Sequence, residues 1–518
     1  MCRFRKVNYK KKVEEYRNFV RLNGLALIRA SQESIQRLIR DEVSVLDSDP
    51  TNKHYLVYIN QFKFDILFDS GLVRHWAQSN HNISPGLRLP LSKSWIRHLS
   101  HDLSLNLRDL NKAKFKYAAK IFALQCKSLV RILIVIFPFS SLIRPGKHDF
   151  STMTYVIDHT KAKYGDSEER TTGWDYGSWV NKKTARIRQV IFLNQMEFIQ
   201  VLFSNQILRD KFSGIKLRNV ILKDTLRNLL ASDLKISDGL LILDQICFSE
   251  VVKHCTKDTQ GLILQFTESI GCRRPIWTYE AEKRGIGIEF QFFANYATLS
   301  LGQKLEIPPQ FPLYSWSKIS VVSAWQAKSV PGRNLLDEVV YINKSEVPWF
   351  RDCIESSTPE AESYIAVFNY EPKKGFFGYS TLVELGLSTQ DCTYDFLQPI
   401  IEICSSEGIK VFHKPKRFIP HKKKVVNVQK VIRSESGKSI YTQIDPCVSP
   451  HRLISDALGV ISLPPTTTGL IGYQMNTPSV YFDPYGKVCR SDPSLEGINV
   501  INSKEELEIW IKSLREKF

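Results

Sequence analysis

The sequence predicts an α/β protein, with parallel sheets built from βαβ units and a largely helical N-terminal region ahead of them. Three observations carry that expectation. From about residue 360 to the end, short apolar runs alternate with amphipathic stretches, and strands alternating with helices of about 8 to 15 residues are the pattern of a parallel sheet. Between 151 and 350 the same alternation recurs less regularly. At 518 residues the chain is also too long for one ordinary core, so several domains are expected. Their boundaries are placed at 1–150 (basic, mostly helical), 151–350 and 351–518 (both Rossmann-like).

In the first stretch, "KKVEEYRNFVRLNGLALIRASQESIQRLIRDEV" places Val13, Tyr16, Val20 and Leu27 at helical spacing with Phe19 beside them,. The run from Lys112 to Val135 is basic and apolar together. The most apolar run, "ILIVIFPFSSLI", spans 12 residues between Arg131 and Arg144, short of the roughly 20 needed to span a bilayer. It reads as a buried strand or core helix, or as a segment dipping into a membrane. In the middle stretch "RQVIFLNQ" reads as a strand and "MEFIQVLFSNQILRDKF" as a helix, and "GLLILDQ" as another β-like run before "ICFSEVVKHC". After "RPIWTYEAEKRGIGIEFQFFANY" comes a Pro-rich connector, "LEIPPQFPLYSW". The last stretch alternates cleanly: strand "SYIAVF", helix "YDFLQPIIEICSSEG", strand "IKVFHKP", helix "PHRLISDAL", strand "GVISLP", helix "GLIGYQM", strand "PSVYFDP" and a terminal helix "SKEELEIWIKSLREKF".

The formal net charge of +18 calls for a polyanionic partner: nucleic acid, an anionic membrane face or phosphorylated substrates. Ten cysteines without a C-x-x-C pair argue against a structural zinc site and suit reduced thiols in a cytoplasm. The start "MCRFRKVNYKKK" is basic and no long apolar stretch follows it, so no secretory leader is expected. That basic segment suits adhesion to an anionic leaflet.

Ligands of open α/β sheets sit beyond the carboxyl ends of strands, at helix N-termini, which directs attention to three loops. After "IAVF" comes Asn369-Tyr370-Glu371-Pro372, after "IKVF" comes His413-Lys414-Pro415-Lys416-Arg417, and after "VISL" comes Pro464-Pro465-Thr466-Thr467-Thr468-Gly469. In a parallel sheet they converge on one edge and offer a His, several cations, hydroxyl donors and the N–H groups of a helix start. That set suits a phosphate or diphosphate. The threonines alone would serve equally as ordinary N-caps; the matching strand end at His413 and Lys414 favours a phosphate clasp. The span 408–434 holds nine Lys or Arg and no acid, but its aromatics are only Phe412 and Phe418, so base stacking on nucleic acid is not favoured.

In "IWTYEAEKRGIGIEFQFF", Glu280 and Glu282 precede a Gly turn. Either is a candidate general base for an acceptor hydroxyl, or a surface charge on a short helix. His254, His413, His421 and His451 are too dispersed for a metal set. No G-x-S-x-G, P-loop, G-x-G-x-x-G or H-E-x-x-H motif occurs,, and no metal or cofactor is expected.

Taken together, "ISLPPTTTGLIGYQMNTPSVYFDP", "IKVFHKPKR", "IAVFNYEP" and "PIWTYEAEKRGIGIEFQFFANY" resemble the bacterial surface-carbohydrate biosynthesis proteins named for a PFTS motif, over about residues 235–518. The motif stands here as Pro464-Pro465-Thr466-Thr467, and Asn369 replaces the acid of the family's "VFDVxP" strand end. A wider similarity is to sialyltransferase-like and Kdo-transferase-like enzymes of the GT-B fold, whose His-Pro and Ser/Thr motifs touch the phosphate of a CMP-activated donor; His413-x-Pro415 and Thr466-Thr467 repeat that logic.

The resemblance implies a GT-B-like glycosyltransferase with two facing Rossmann-like domains, helping to build a capsule, O-antigen or similar glycan. Its donor would be a nucleotide sugar, a CMP-linked ulosonic acid first and a UDP- or GDP-sugar otherwise. Its acceptor would be a glycan or lipid-linked glycan. His413 and Lys414 would neutralise phosphate and stabilise the leaving group, helped by Glu371, Lys416, Arg417 and the Pro464–Gly469 turn. The implied location is the inner face of the cytoplasmic membrane, held there peripherally through an anionic membrane surface. A non-catalytic polysaccharide-assembly protein is the remaining reading.

Overall fold

Residues 50–69, 111–136, 153–158, 189–193, 195–210, 214–256, 262–267, 273–292, 315–344, 363–370, 387, 390–415 and 440–516, less the positions 233, 235, 335, 337, 446 and 447, are described by a computed structural model. The helical pattern expected over 13–45 lies outside them. The described strands form two sheets of six, every pairing parallel.

The first sheet has β1 (Met153–Asp158), β2 (Gln189–Leu193), β3 (Ile263–Thr267), β4 (Gly287–Gln291), β5 (Lys318–Val321) and β6 (Tyr341–Lys344) in the order β2-β1-β3-β4-β5-β6. The second has β7 (Tyr364–Phe368), β8 (Lys410–Lys414), β9 (Tyr441–Gln443), β10 (Gly459–Ser462), β11 (Ser479–Phe482) and β12 (Asn499–Ile501) in the order β12-β11-β10-β7-β8-β9. Counted from β7, that is the 3-2-1-4-5-6 order of a doubly wound dinucleotide-binding sheet read from its other edge.

Twelve described helices accompany them: α1 (Pro50–Asp69), α2 (Asn111–Ile136), α3 (Gln195–Asp210), α4 (Gly214–Ala231), α5 (Ile236–Leu241), α6 (Leu243–Cys255), α7 (Trp277–Lys283), α8 (Ala324–Ser329), α9 (Gln390–Ser406), α10 (Pro450–Ser455), α11 (Thr467–Gln474) and α12 (Lys504–Arg515). The run "GLLILDQ" is helical, split between α5 and α6, and not a strand. Leu241, Ile242, Leu243 and Ile246 are all buried there, and a short run apolar on every side looks the same in a buried helix as in a buried strand.

Each sheet has its own core. In the first, Phe198 of α3, Phe248 and Val252 of α6, Phe266 of β3, Trp277 of α7, Phe290 of β4 and Trp316 pack together. In the second, Phe396 and Ile400 of α9, Val411 of β8, Ile461 of β10, Val480 of β11 and Ile511 of α12 do so. Helices α1 and α2 contribute to the first core, Val57 and Val135 joining it directly and Tyr55 and Ile59 meeting Ile242 and Ile246. The apolar run after Arg131 therefore begins as the end of a core helix. Among the described residues no helix is long and apolar enough to cross a membrane.

The two halves touch where β5 runs into α8. Val322 packs among Ala366, Phe412 and Leu470, and its carbonyl accepts from Gln474 Nε2 at 3.1 Å. Glu496, at φ 55°, sets its carboxylate on the first turn of α8, accepting from Ala324 N–H at 3.3 Å and Trp325 N–H at 2.6 Å.

Candidate functional site

The strand order of the second sheet reverses between β7 and β10, where a doubly wound sheet opens a crevice at its carboxyl edge. Register fixes what lies there. Phe368, the last residue of β7, pairs with Lys414 on one side and Ser462 on the other. Asn369, the end of β8 and the turn after β10 therefore share one edge, as the sequence predicts.

His413 is buried and committed at both ring nitrogens. Nε2 meets Asn369 Oδ1 at 3.0 Å and Nδ1 meets the Tyr441 hydroxyl at 2.7 Å. Burial first, then the Lys414 ammonium beside it, pushes its pKa down to about 4, so the ring is neutral at pH 7. Burial raises the Tyr441 hydroxyl, keeping it a donor to Nδ1 and leaving the Nε2–H to donate to Asn369. The ring thus carries no charge of its own to set against a phosphate, the role expected of His413, and it joins Asn369, just past β7, to Tyr441, the first residue of β9. Lys414, also buried at the edge, is the described cation of this loop. Pro415 follows it, while Glu371, Lys416 and Arg417 lie outside the described residues.

The turn after β10 is knitted from within. Leu463 N–H donates to Phe368 O at 3.0 Å and Thr466 N–H to Leu463 O at 3.0 Å, and Pro464 and Pro465, joined by a cis bond, are buried. Thr466 is the N-cap of α11, yet its side chain makes no capping bond. Its Oγ1 accepts from Thr468 Oγ1 at 3.1 Å, and Thr468 Oγ1 also meets Ser462 Oγ at 3.0 Å. Two of the three hydroxyls thus hold the turn itself; Thr466 is buried, while Thr467 and Thr468 are both partly exposed. The Tyr481 hydroxyl donates to Thr466 O at 2.9 Å, and its ring lies where a Cβ on Gly469 would come within 2.6 Å. Only glycine lets α11 start so close to β11. The result is a helix start with no side-chain cap, its dipole end directed at the crevice.

One strand further, Asp483 is fully buried and accepts from the backbone N–H groups of Tyr485, Lys487 and Val488 at 3.0, 2.6 and 2.7 Å. Sequence reasoning did not single out Tyr441, Tyr481, Ser462 or Asp483. The aromatic hydroxyls read as core residues of their strands, and only the "YFDP" spacing pointed toward Asp483.

Glu280 and Glu282 stand on α7, beside the first sheet. Glu280 pairs with Arg284 at 3.0 Å. Glu282 neutralises Arg274, a buried guanidinium that also meets Thr278 Oγ1 and Ser317 Oγ and lies 4.0 Å over the Tyr279 ring. Ser317 immediately precedes β5, so Glu282 belongs to the amino edge of that sheet. A third carboxylate, Glu289 of β4, accepts from the Ser320 hydroxyl of β5 and from Gln265 Nε2 of β3 at 3.5 Å. These three side chains make a polar row across the sheet, which the sequence analysis did not anticipate.

Among the described residues one trio has the spacing of metal ligands: Asp224 of α4 with Glu250 and His254 of α6. His254 was expected to stand apart because only other histidines were considered with it. Its Nε2 meets Asp224 at 3.0 Å, while Lys253 and the Asn228 amide take the Glu250 oxygens at 3.1 and 2.6 Å. The trio is thus engaged in side-chain contacts that tie α4 to α6.

Among known families, the model for polysaccharide biosynthesis PFTS motif proteins matches residues 225–511, a span that runs from α4 to α12 and includes the whole second sheet. No curated protein matches the chain.

Proposed function

Because the chain belongs to the polysaccharide biosynthesis PFTS motif family, with a role in polysaccharide synthesis, we propose that it is a glycosyltransferase of GT-B type whose second half binds a nucleotide sugar at the β7–β10 switch point. The observation that carries this reading is the convergence there of a buried lysine and a helix start without a side-chain cap. An anion is the ligand such an edge favours.

In this reading Lys414 and the first turn of α11 take the charge that builds on the leaving phosphate, and Thr467 adds a hydroxyl. His413 acts at one remove by fixing Asn369 and Tyr441. CMP is the nucleotide implied by the similarity of His413-x-Pro415 and Thr466-Thr467 to the motifs of sialyltransferase-like and Kdo-transferase-like enzymes, with an ulosonic acid as the sugar and a glycan or lipid-linked glycan as acceptor. Of the two carboxylates on α7, Glu282 is tied to a buried guanidinium, so Glu280 is the acceptor base proposed. A surface i,i+4 pair with arginine is weak enough to exchange.

The test is a thermal-shift panel of CMP, UDP and GDP on the wild type and Lys414→Met, followed by transfer of a labelled sugar from the nucleotide that binds. A ligand at 100 times its dissociation constant adds about 2.7 kcal/mol, which Lys414→Met should remove. A response to UDP or GDP instead of CMP keeps the transferase and replaces the donor. Binding without turnover, whatever the acceptor, would leave a non-catalytic assembly protein, which Asn369 in place of an acid would suit.

A further inference from the structure

Helix α2 has two apolar faces. One packs on α5 and α6 through Leu124, Ile132, Val135 and Ile136. The other puts Phe122, Leu129, Val130, Leu133 and Ile134 in solvent, Phe122 at 67% exposure and Leu133 at 53%. From Phe122 to Ile134 this stripe runs about 18 Å along the helix. The rotation of α2 is fixed by a buried polar contact: Asp244 of α6 meets Ser128 Oγ at 3.1 Å and the Arg131 guanidinium at 2.9 Å. The stripe is therefore held outward and cannot turn into the core. Beside α2, Gln125 Nε2 donates to the Ser237 carbonyl of α5 at 2.9 Å, and the neighbouring Ile236 is also exposed.

A contiguous apolar stripe of this size on a surface marks an interaction site, and its charge says what kind. Over its 26 residues α2 contains six Lys or Arg and no Asp or Glu, and Lys127 stands exposed at the border of the stripe. We propose that this face of α2 lies on an anionic lipid surface, its five apolar side chains entering the interfacial zone and Lys127 at their border meeting lipid phosphates. A helix that combines an outward apolar stripe with basic residues and no acid is what an interfacial segment needs. A protein partner with an acidic rim would match Lys127, but would not need the stripe to run unbroken along the helix.

The proposal is independent of sugar transfer and is tested by co-sedimentation of the full chain with vesicles. With phosphatidylcholine vesicles containing phosphatidylglycerol the protein is expected to pellet, and with pure phosphatidylcholine to bind about tenfold more weakly. The double variant Leu129→Ser, Leu133→Ser is expected to lose about tenfold in binding to the anionic vesicles with its melting midpoint unchanged. Equal binding of variant and wild type, or no binding of the wild type, overturns the proposal. So does a midpoint lowered by several degrees, because it would mean that another segment of the chain covers the stripe. A wild-type dimer in sedimentation velocity that the variant dissolves would assign the face to a second copy instead.

Discussion

The first sheet reverses its strand order between β1 and β3, the second between β7 and β10, and the two sheets are filled differently near those points. In the second sheet β7 is buried at every position and so is β10; their polar side-chain groups are Ser462, spent inside the turn, and the Tyr364 hydroxyl, which donates to Leu453 O at 2.8 Å. In the first sheet β4, the strand next to β3, has one exposed and one half-buried position among three buried ones, and its Glu289 lies in a polar row with Gln265 and Ser320. Strands apolar on both faces are locked by helices on either side, so the loops leaving them are held rigidly. The second half has the geometry of a preorganised anion site, while the first has polar groups laid out across a sheet.

The sharpest way to break the contrast is to loosen the second edge alone. Asp483→Ala leaves three backbone donors without their acceptor in a loop that packs beside the switch point. Each donor left unmade inside a protein costs about 1–3 kcal/mol; with some relaxation the total should be about 3–5 kcal/mol in a urea titration. If the halves unfold separately, only the transition belonging to the second should move. An Asp483→Ala protein of wild-type stability would mean that the edge is not rigid.

A gentler probe uses pH. His413 is held near 4 by burial, below its unfolded value of about 6.5. The unfolded chain therefore binds the extra proton first as pH falls, and stability drops between pH 6.5 and 4. The full span is about 3 kcal/mol at one pKa unit per 1.36 kcal/mol, all of it present above pH 6.5 and lost by about pH 4. His413→Gln should flatten that part of the curve. An unchanged slope would show that His413 is solvated and charged, and would restore the phosphate-neutralising role.

How far these features were legible in the sequence follows the same contrast. "IAVF", "IKVF" and "VISL" were recognisable because strands covered on both faces are continuous apolar runs, and with them came Asn369, His413, Lys414 and the Thr466–Gly469 turn. The strict alternation of "IGIEFQF" carries a strand signal for β4,, whereas β3 has a polar residue at its centre and β9 and β12 have three residues each, so neither periodicity nor length announced those three. The commitment of His413 was hidden for another reason: its partner Tyr441 is 28 residues away and reaches it only through the pairing of β8 with β9. A strand-end histidine looks the same in sequence whether its nitrogens face a ligand or a neighbouring strand.

Glu496→Ala asks whether the two halves act together. The carboxylate caps α8 from the second half, and a charge-assisted bond to backbone N–H is worth about 1.5–3 kcal/mol. The loss should appear as about 2 kcal/mol if the halves melt as one unit. If they melt apart, it should appear instead as a wider separation of two transitions in calorimetry. Unchanged thermograms would mean that Glu496 rests on α8 without coupling anything.

The smallest expected effect separates the two carboxylates of α7. Glu282→Gln leaves Arg274, 1% exposed, without its counter-ion. A buried pair broken on one side costs about 3–5 kcal/mol, reduced here to about 1–2 because Glu282 itself is about a third exposed. Glu280→Gln removes an i,i+4 surface pair worth about 0.3–0.5 kcal/mol,, so its effect on melting should be near the limit of detection. Transfer should show the reverse order. If Glu280 takes the acceptor proton, Glu280→Gln abolishes turnover in a protein of normal stability, while Glu282→Gln loses activity only as far as it loses folded protein. Should both variants transfer sugar at the wild-type rate, the base is not on α7, and Glu289, held on a strand by Ser320 and Gln265, becomes the carboxylate to change next.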